Sequence, residues 1–576
     1  MALTSTLFTG LSGLDVNQTR MNVVGNNIAN VNTVAFKGSR VLFTPQFYVT
    51  DSGGTSPTSN FGGTNPSQHG LGATVATTQK DFTQGSITPT GHDTDMAIDG
   101  SGFFVVQTPD GQRYTRDGSF TLNSSNQLVT SSGAYVQGFG VDTKANVVPG
   151  KLQDITVPLG GQTIAQATQN VSMQGNLDAS GLLPAGASIL TSQDLTTVGG
   201  AAAPTGATLL TQLASTAAPA TGLMNAGDTF TLKGVKGGEA LAAETFTVTP
   251  TSTVQDLLTF YQQNLGIDTT VPPSGNPNIP NPGATLQADG GALNSAKLVI
   301  AGNTGNDNAL AMAGSAFTNQ NGASPLAFAD GTSPAGIKSN PSGESVHTSI
   351  LAYDSLGTPI NIDVTAVIDS TSTTGNTWSF HATSADNKVG GINVGSGTLT
   401  FDNNGKLTAS TGTSFLIDRT GTGAVSPMSV TADFSPMSEL SGTASQMVMT
   451  KQDGVPLGTL NSFTVGTDGT VTGAFTNGLT RTLGQVALAN FANPSGLDDK
   501  GGNIFATGAN SGVPVVSSPL TQGTGAIRAG SLELSNVDLS QEFTNLIVAS
   551  TGFSASSKVI TTSDQLIQEL LNTAGR

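Results

Sequence analysis

A chain of 576 residues is too long for one compact core, so several domains are expected. Its formal net charge of −17 comes from 21 basic and 38 acidic side chains, and the basic residues form no cluster. Nucleic acid and membranes are therefore not expected as partners. The lack of cysteine excludes disulfides, thiolate metal sites and cysteine catalysis.

The first segment of the chain carries an apolar stripe whose members recur at gaps of three, four and seven residues, which predicts an amphipathic helix. Gly10, Gly13 and Gly25 lie inside this helix, and each destabilises it by about 1 kcal/mol relative to alanine. Such a helix gains its stability by packing on a partner. The residues of the stripe are Leu3, Leu7, Leu11, Leu14, Met21, Val24, Ile28 and Val31.

The last segment repeats this pattern on a heptad-like grid, whose remaining places hold Ser550, Ser557 and Asp564. Asp538 or Ser540 is suited to cap the second helix. We expect the two ends to be loose in a free subunit and to become ordered when they pair. The apolar residues of the second stripe are Leu539, Phe543, Leu546, Phe553, Ile560, Ile567 and Leu571.

The N-terminus has no basic residue before Arg20 and no long apolar run, so no cleavable secretory signal is predicted. Nothing in the chain approaches about 18 consecutive apolar residues, the length that a transmembrane helix needs. A protein that works outside the cell would need another export route.

Between the ends, turn signals such as "TPDGQ" at 108–112 flank alternating strand-like runs. Residues 251–266 predict one interior helix, with a Thr or Ser cap and a Gly stop. Residues 51–72 predict an extended connector, and residues 181–342, rich in Ala, Gly and Pro, predict an inserted outer module. The predicted fold class is mainly β and multidomain with α-helical termini. If the termini pair, the arrangement is nested and elongated, with the helices forming a coiled-coil-like inner domain.

Motifs with catalytic or ligand-binding chemistry are weak in this sequence. "HDTDMAIDGSG" at 92–102 resembles a calcium loop, but Ala97 and Phe104 occupy positions that need oxygen ligands. A strand that enters a turn at Asp99 and Gly100 is the better interpretation. The four histidines are scattered, and no zinc-protease, nucleophile-elbow or phosphate-loop pattern occurs. We therefore predict no enzyme, no catalytic or metal-binding residue and no cofactor.

Four segments resemble a known family, the rod, hook and hook-associated proteins of the bacterial flagellum. The first two are "TGLSGLDVNQTRMNVVGNNIANVNTVAFKGSR" and "DMAIDGSGFFVVQTPDGQRYTRDGSFTLNSSNQLVTSSGAYVQGF". The closing segments are "LGQVALANFANPSGLDDKGGNIFATGANSG" and "GSLELSNVDLSQEFTNLIVASTGFSASSKVITTSDQLIQELL". Rod members are about half of this length, whereas hook members carry a large middle insertion. "VHTSILAYDSLGTPINIDVTAVI" at 346–368 is similar to the outer β domain of the hook members.

The resemblance implies an inner tube of terminal helices around an export channel, with β domains arranged outside it. The predicted domains are a terminal helical domain (1–34 with 533–576), an extended connector (35–85), a β-rich middle domain (86–148 with 445–532), an outer β domain (149–180 with 343–444) and an inserted outermost domain (181–342). The inserted domain consists of one module or two, and the sequence leaves both open.

The resemblance further implies a structural subunit of the flagellar hook, a flexible tube that acts as a universal joint and passes torque from rod to filament. The alternative is a rod or hook-filament junction protein. Implied partners are further copies of the chain, the distal rod protein, the hook cap, the junction proteins and the flagellar type III export apparatus. The implied location is extracellular, in the flagellar hook and basal body. The polymerisation residues are those of the two apolar stripes together with Asn27 and Asn30.

Asparagine is concentrated at the end of the first helix. One hypothesis is that Asn26, Asn27, Asn30 and Asn32 present amides to neighbouring subunits, where an amide tolerates several pairings without carrying charge. The alternative is that they cap or end the helix. The sequence shows no facing partner, so both interpretations stay open.

Overall fold

The computed structural model describes residues 2–270, 278–288, 294–319, 325–328 and 339–574. The chain forms two compact units. Unit 1 contains Met1–Thr163 and Thr459–Arg576, and unit 2 contains Ile164–Gly458. Unit 1 is thus built from both ends of the chain, and unit 2 is inserted between them. The predicted class, mainly β with paired helical termini, is confirmed.

Three α-helices occur in the described part of the chain: α1 (Ala2–Ala29), α2 (Val254–Asn264) and α3 (Leu539–Ala574). The predicted interior helix is confirmed as α2. Its Thr253 cap forms a capping box with Asp256, which satisfies two backbone N–H groups at the helix start. Asp538 caps α3 by accepting hydrogen bonds from the N–H groups of Ser540 and Gln541. Short 3-10 helices cover Leu210–Gln212, Asn306–Asn308 and Pro494–Gly496.

The largest sheet of unit 1 interleaves strands from both halves of the chain. Its central strands are Tyr135–Val141, Phe103–Thr108 and Gly111–Thr115, which pair antiparallel in that order. The last two are joined at the predicted turn, where Thr108 pairs with Gly111, and Gly111 adopts a φ of 108° that favours glycine. On one side lie Thr480–Val486, Thr470–Phe475 and Val455–Val465, and on the other Ile504–Ala506 and Asp498–Asp499.

The other strands of unit 1 are short or lie at its edges: Ser39–Pro45, Tyr48–Ser52, Ser67–Gly70, Ala73–Lys80, Ile87–Pro89, Met96–Asp99, Thr121–Leu122, Leu128–Val129, Val147–Asp154, Leu488–Asn490, Val515–Ser517, Ala526–Ala529 and Ser531–Glu533. Two strands contain the boundaries between the units, Thr163–Gln166 and Val455–Val465.

Aromatic side chains fill the core of unit 1. Phe103 and Tyr114 come from the N-terminal half of the chain, and Phe491 and Phe505 come from the C-terminal half. Phe103 and Tyr114 each meet Phe491 edge to face, with ring centroids 5.7 and 4.8 Å apart. Such pairs stabilise beyond the burial of their area. The core of unit 1 therefore needs both ends of the chain.

The segment predicted as an extended connector folds back on itself. Tyr48–Ser52 pairs antiparallel with Ser67–Gly70, and Ser39–Pro45 pairs antiparallel with Ala73–Lys80. Its exposed aromatic side chains include Phe47 and Tyr48, which are 83% and 60% exposed. The Gly- and Ser-rich composition of residues 51–72 indicated an extended connector, but it did not indicate the antiparallel strand pairs.

The described residues of unit 2 form two hydrophobic cores. The first surrounds Trp378 and Phe380 beneath an antiparallel five-stranded sheet. The second, formed mainly by residues 190–328, packs around Leu257 and Tyr261 of α2. The strands of unit 2 after Thr163–Gln166 are Asn170–Leu177, Ala187–Thr191, Leu195–Thr197, Leu213–Ser215, Thr229–Lys236, Glu239–Ala240, Glu244–Thr247, Gly283–Ala288, Ala296–Thr304, Leu310–Asn319, Ser345–Tyr353, Pro359–Ser372, Gly375–Thr383, Asn393–Phe401, Leu407–Ser410, Ser414–Ile417, Met428–Asp433, Met437–Glu439 and Gln446–Gln452.

Polar contacts join the two cores of unit 2. His381 Nδ1 lies 3.1 Å from Asp268 Oδ2, and Asn393 donates to the carbonyl of Ile267 at 2.9 Å. Within the second core, Lys236 Nζ donates to the carbonyl of Gly266 at 2.6 Å. Burial lowers the pKa of Lys236 to about 8, although Asp268 and Asp363 attract its charge. Burial raises the pKa of Asp268, but hydrogen bonds from His381 and Thr270 outweigh it and hold that pKa well below its usual range.

Among the described residues, no helix combines the length and apolar character that crossing a bilayer would require.

Candidate functional site: the paired terminal helices

Helices α1 and α3 pack along each other in opposite directions. Ser563 donates a hydrogen bond to Thr6 at 3.3 Å near the start of α1, and Arg20 donates to Asn545 at 3.2 Å further along it. As the residue number increases along α1, the number of the residue that it contacts on α3 decreases, so the two helices are antiparallel. The predicted pairing of the two termini is confirmed within one chain.

Glycine residues allow the two helices to approach closely. A Cβ atom at Gly10 would lie 2.8 Å from Cγ1 of Ile560, and one at Gly13 would lie 2.5 Å from Oγ of Ser556. At Gly25, which lies in the same helix, an added Cβ would meet nothing within 4 Å. Gly10 and Gly13 thus weaken α1 as an isolated helix but are required where α3 touches it.

The centre of the seam on α3 is made of small residues. Ala549 and Ser563 are buried there, and Ser556 faces Gly13. These three residues repeat every seven positions, one place before Ser550, Ser557 and Asp564 of the predicted grid. The apolar pattern located the helix correctly, but small side chains that permit close contact carry little hydrophobic signal.

The predicted polymerisation residues are distributed around the helix pair. Val24 and Asn27 are buried, and the side chain of Leu3 lies outside the described residues. The half-buried members are Leu7, Leu14, Met21, Ile28, Asn30, Val31, Leu546, Phe553, Ile560 and Ile567, and the exposed ones are Leu11, Leu539, Phe543 and Leu571.

The outer surface of the helix pair carries many large apolar side chains. Phe8 and Ile547 are each 66% exposed, and Leu571 is 68% exposed. Exposed apolar side chains in such number are typical of interaction surfaces. Among the described side chains of α1 and α3, the exposed large apolar ones are Phe8, Leu11, Leu539, Phe543, Ile547, Val548, Val559, Leu566, Leu570 and Leu571.

Three of the asparagine side chains form hydrogen bonds within their own chain; Asn26 Oδ1 accepts from Asn30 at 3.2 Å. Asn27 donates to the carbonyl of Ser39 at 2.8 Å and accepts from the N–H of Ser39 at 2.9 Å. Asn30 donates to the carbonyl of Asn26 at 2.9 Å and accepts from the hydroxyl of Thr33. For Asn27 and Asn30, these contacts favour the alternative that asparagine ends the helix and directs the chain into its first strand.

Below the helix pair lies a buried ionic cluster that sequence reasoning missed. The carboxylate of Glu533 accepts from Lys37 Nζ at 2.6 Å, from the N–H of Gly85 at 2.8 Å and from Arg116 Nη1 at 3.2 Å. The side chains of Lys37 and Glu533 are fully buried, and that of Arg116 is 5% exposed. The carbonyl of Thr83 also accepts from Lys37 at 2.7 Å. Four separate segments of the chain meet in this cluster.

Burial controls the electrostatics of the cluster. It lowers the pKa of Lys37 and the pKa of Arg116, because a charged side chain loses its hydration there. The Glu533 carboxylate opposes both shifts. The two cations therefore depend on Glu533 as their shared counterion.

Residues 92–102, the segment that resembles a calcium loop, form a strand and its flanking turns. Met96–Asp99 forms a strand paired with Ala526–Ala529, as the turn interpretation predicted. Asp95 accepts a hydrogen bond from Thr90, and Asp99 lies 2.7 Å from Arg528. Across the described parts of the chain, no group of three or more His, Cys, Asp or Glu side chains is placed to hold a metal ion.

Comparison with known proteins identifies the family. Four protein-family models match this chain: "Flagella basal body rod protein" at 7–37, "Flagellar hook protein FlgE/F/G D1 domain" at 97–178, "Flagellar basal body protein FlaE D2 domain" at 329–455 and "Flagellar basal body rod FlgEFG protein C-terminal" at 528–573. The flagellar hook protein FlgE of Borreliella burgdorferi is 30% identical over 574 residues, which cover 98% of each chain. This chain belongs to the flagellar hook protein family.

A second hook protein, from Treponema pallidum, is 29% identical over 572 residues and again covers 98% of both chains. A crystal structure of Helicobacter pylori flagellar hook protein FlgE2 matches with a TM-score of 0.35 and 17% identity, over 77% of this chain and all of that one. The family assignment rests on the full-length sequence matches. It makes this chain a flagellar hook subunit of a structural protein family whose members form homopolymers.

Proposed function

We propose that this chain polymerises into the curved, flexible helical tube of the flagellar hook, which acts as a universal joint and transmits torque from rod to filament. The tube encloses a central channel for export. The protein is a structural component and not an enzyme. Similarity over 98% of the hook protein of Borreliella burgdorferi supports a hook subunit over a shorter rod or junction protein.

The observation that carries this proposal is the apolar outer surface of the terminal helices. Within one chain, α1 and α3 use glycine and small side chains for their mutual contact and leave large side chains such as Phe8 and Ile547 exposed. Burial of an apolar surface is favourable at roughly 25 cal/mol per Å². Copies that cover this surface through a non-closing, head-to-tail contact generate a helical filament.

The proposed domain order follows the nesting of the chain. The helices of 1–34 and 533–576 form the inner wall, and the β domains of 86–148 with 445–532 and of 149–180 with 343–444 form the outer shells. Residues 35–85 connect the inner wall to the shells, and residues 181–342 form the outermost part. Loose contacts between outer domains permit neighbouring rows of subunits to shorten and lengthen as the tube bends.

The proposed location is extracellular, in the flagellar hook, after export by the flagellar type III apparatus without a cleaved signal. At its ends the tube meets the distal rod protein and the junction proteins, and the hook cap guides its growth.

Truncation tests the role of the terminal helices. Chains lacking residues 1–34 or 537–576 are expected to form no normal tubes by electron microscopy. Normal tubes from either truncated chain would refute the mechanism. If the full chain stops at a short ring instead of extending into long tubes, the junction-protein alternative is favoured.

A pair of matched point variants separates assembly from folding. Ile547→Gln removes an exposed apolar side chain from α3, and Val513→Gln removes a side chain that is 82% exposed in the β part of unit 1. Both changes are expected to alter the stability of the free chain by less than about 0.5 kcal/mol. Only Ile547→Gln is expected to raise the critical concentration for tube formation, by about tenfold if roughly 1.4 kcal/mol of contact is lost.

A further inference from the structure

Glu533 occupies the point where the C-terminal strand turns towards α3. It is the last residue of the strand Ser531–Glu533, six positions before α3 begins. Its backbone carbonyl accepts from the N–H of Ala35 at 2.8 Å, while its carboxylate binds Lys37, Gly85 and Arg116. This single residue therefore contacts the N-terminal segment through Ala35 and Lys37, the 81–86 segment through Gly85, and the end of the strand Gly111–Thr115 through Arg116.

The residues that follow Glu533 extend the same junction. Asn536 accepts from the N–H of Gly38 at 2.8 Å and donates to the carbonyls of Asp81 and Thr83 at 2.8 and 3.1 Å. A Cβ atom at Gly85 would collide with the carbonyl oxygen of Leu534, so the two backbones are in direct contact. Residues 533–536 are thus held between residues 35–38 and 81–86.

The charges of Lys37, Arg116 and Glu533 determine which segments of this junction can pack before the others. Lys37 and Arg116 both come from the N-terminal half of the chain, and Glu533 comes from the C-terminal end. Burial of two cations without a counterion is strongly unfavourable. Residues 35–38 are therefore not stable in this position on the β sheet unless the C-terminal strand, which carries Glu533, is also bound there.

We propose that Glu533 is a positioning residue for assembly, which locks the N-terminal segment, the 81–86 segment and the C-terminal strand in one register. As a result, α1 and α3 leave the β part of unit 1 side by side, with their apolar surfaces directed to other copies. The effect on assembly rests on the proposed polymerisation. The fixed register of the three segments is a property of the single chain, and it can be measured without polymerisation.

The test compares Glu533→Gln with Asp99→Asn in the full chain. Asp99 also forms an ion pair, with Arg528, but its side chain is 40% exposed. Hydrogen exchange of the free chain is expected to accelerate at least tenfold at the amides of Ala35 and Gly85 in Glu533→Gln. Exchange within Phe103–Thr108 should change less than twofold. The critical concentration for tubes should rise at least tenfold, and Asp99→Asn should match the unaltered chain in every readout.

A second variant covers the case in which Glu533→Gln fails to fold. Lys37→Met keeps the Arg116–Glu533 pair and removes only the cation of the N-terminal segment, so faster exchange is expected at Ala35 but not in Phe103–Thr108. Unchanged exchange at Ala35 in both variants would overturn the proposal.

A third test replaces all three charged residues of the cluster by apolar ones. The triple variant combines Lys37→Leu, Arg116→Met and Glu533→Leu, and it is expected to assemble poorly because the charges that set the register are gone. Normal assembly of this variant would overturn the proposal, since packing alone would then suffice. If the unaltered chain forms no tubes, polymerisation fails as a function, while the exchange results still decide whether the lock exists.

Discussion

The close contact between α1 and α3 makes Gly10 a sensitive position. In Gly10→Ala, the new methyl group would lie 2.8 Å from Cγ1 of Ile560 and 3.4 Å from the carbonyl oxygen of Ser556. A β-branched residue in a helix has one strongly preferred χ1 rotamer, so Ile560 cannot easily turn away. The helices must therefore separate locally.

The matched control is Gly25→Ala, which enters open space in the same helix. There alanine should stabilise α1 by about 1 kcal/mol. At Gly10 the same gain is opposed by overpacking of about 1–3 kcal/mol. The two variants should thus differ by about 1–3 kcal/mol, or roughly 5- to 150-fold in the critical concentration for tubes.

Sedimentation of tubes formed at a series of protein concentrations measures this difference. The double variant Gly10→Ala with Ile560→Ala provides a thermodynamic cycle, because it removes the atom that the new methyl group meets. Gly10→Ala should be less harmful in the Ile560→Ala background than in the unaltered chain. Equal critical concentrations for Gly10→Ala and Gly25→Ala would refute the glycine-mediated contact.

Three further outcomes are expected. Asn27→Asp should destabilise unit 1 by about 1–3 kcal/mol, because the carbonyl of Ser39 loses its donor, whereas the exposed Asn26→Asp should change stability by less than about 0.5 kcal/mol in chemical denaturation. The lowered pKa of Lys236 means that the unfolded chain binds more protons between about pH 8 and 10.5, so the stability of unit 2 relative to Lys236→Met should rise with pH by up to about 3 kcal/mol. A pH-independent difference in urea unfolding would contradict this. Trp378, the one tryptophan of the chain, is buried in unit 2, so its fluorescence should be unchanged when residues 1–34 are removed.

Local sequence patterns predicted the elements that depend on neighbouring residues. The apolar periodicity located both terminal helices, the Thr cap and Gly stop located α2, and "TPDGQ" located the turn between Phe103–Thr108 and Gly111–Thr115. Each of these signals lies within the element that it specifies, so no knowledge of distant contacts is needed.

The features that sequence reasoning missed depend on distant contacts. Lys37 and Glu533 are 496 positions apart, and Arg116 and Glu533 are 417 apart, so no spacing rule links them. The seam between the helices depends on Gly10 and Gly13, which a helix-propensity argument treats only as a cost. A glycine becomes informative once the atom opposite it is known.

Labelling of a single cysteine tests most directly whether the helix pair is the surface through which copies join. The chain has no cysteine, so Ile547→Cys introduces a unique thiol on the exposed side of α3. Its reaction with a maleimide should be fast in the free chain and at least tenfold slower in assembled tubes, where a neighbouring copy covers it. Equal labelling rates in tubes and in the free chain would contradict the account.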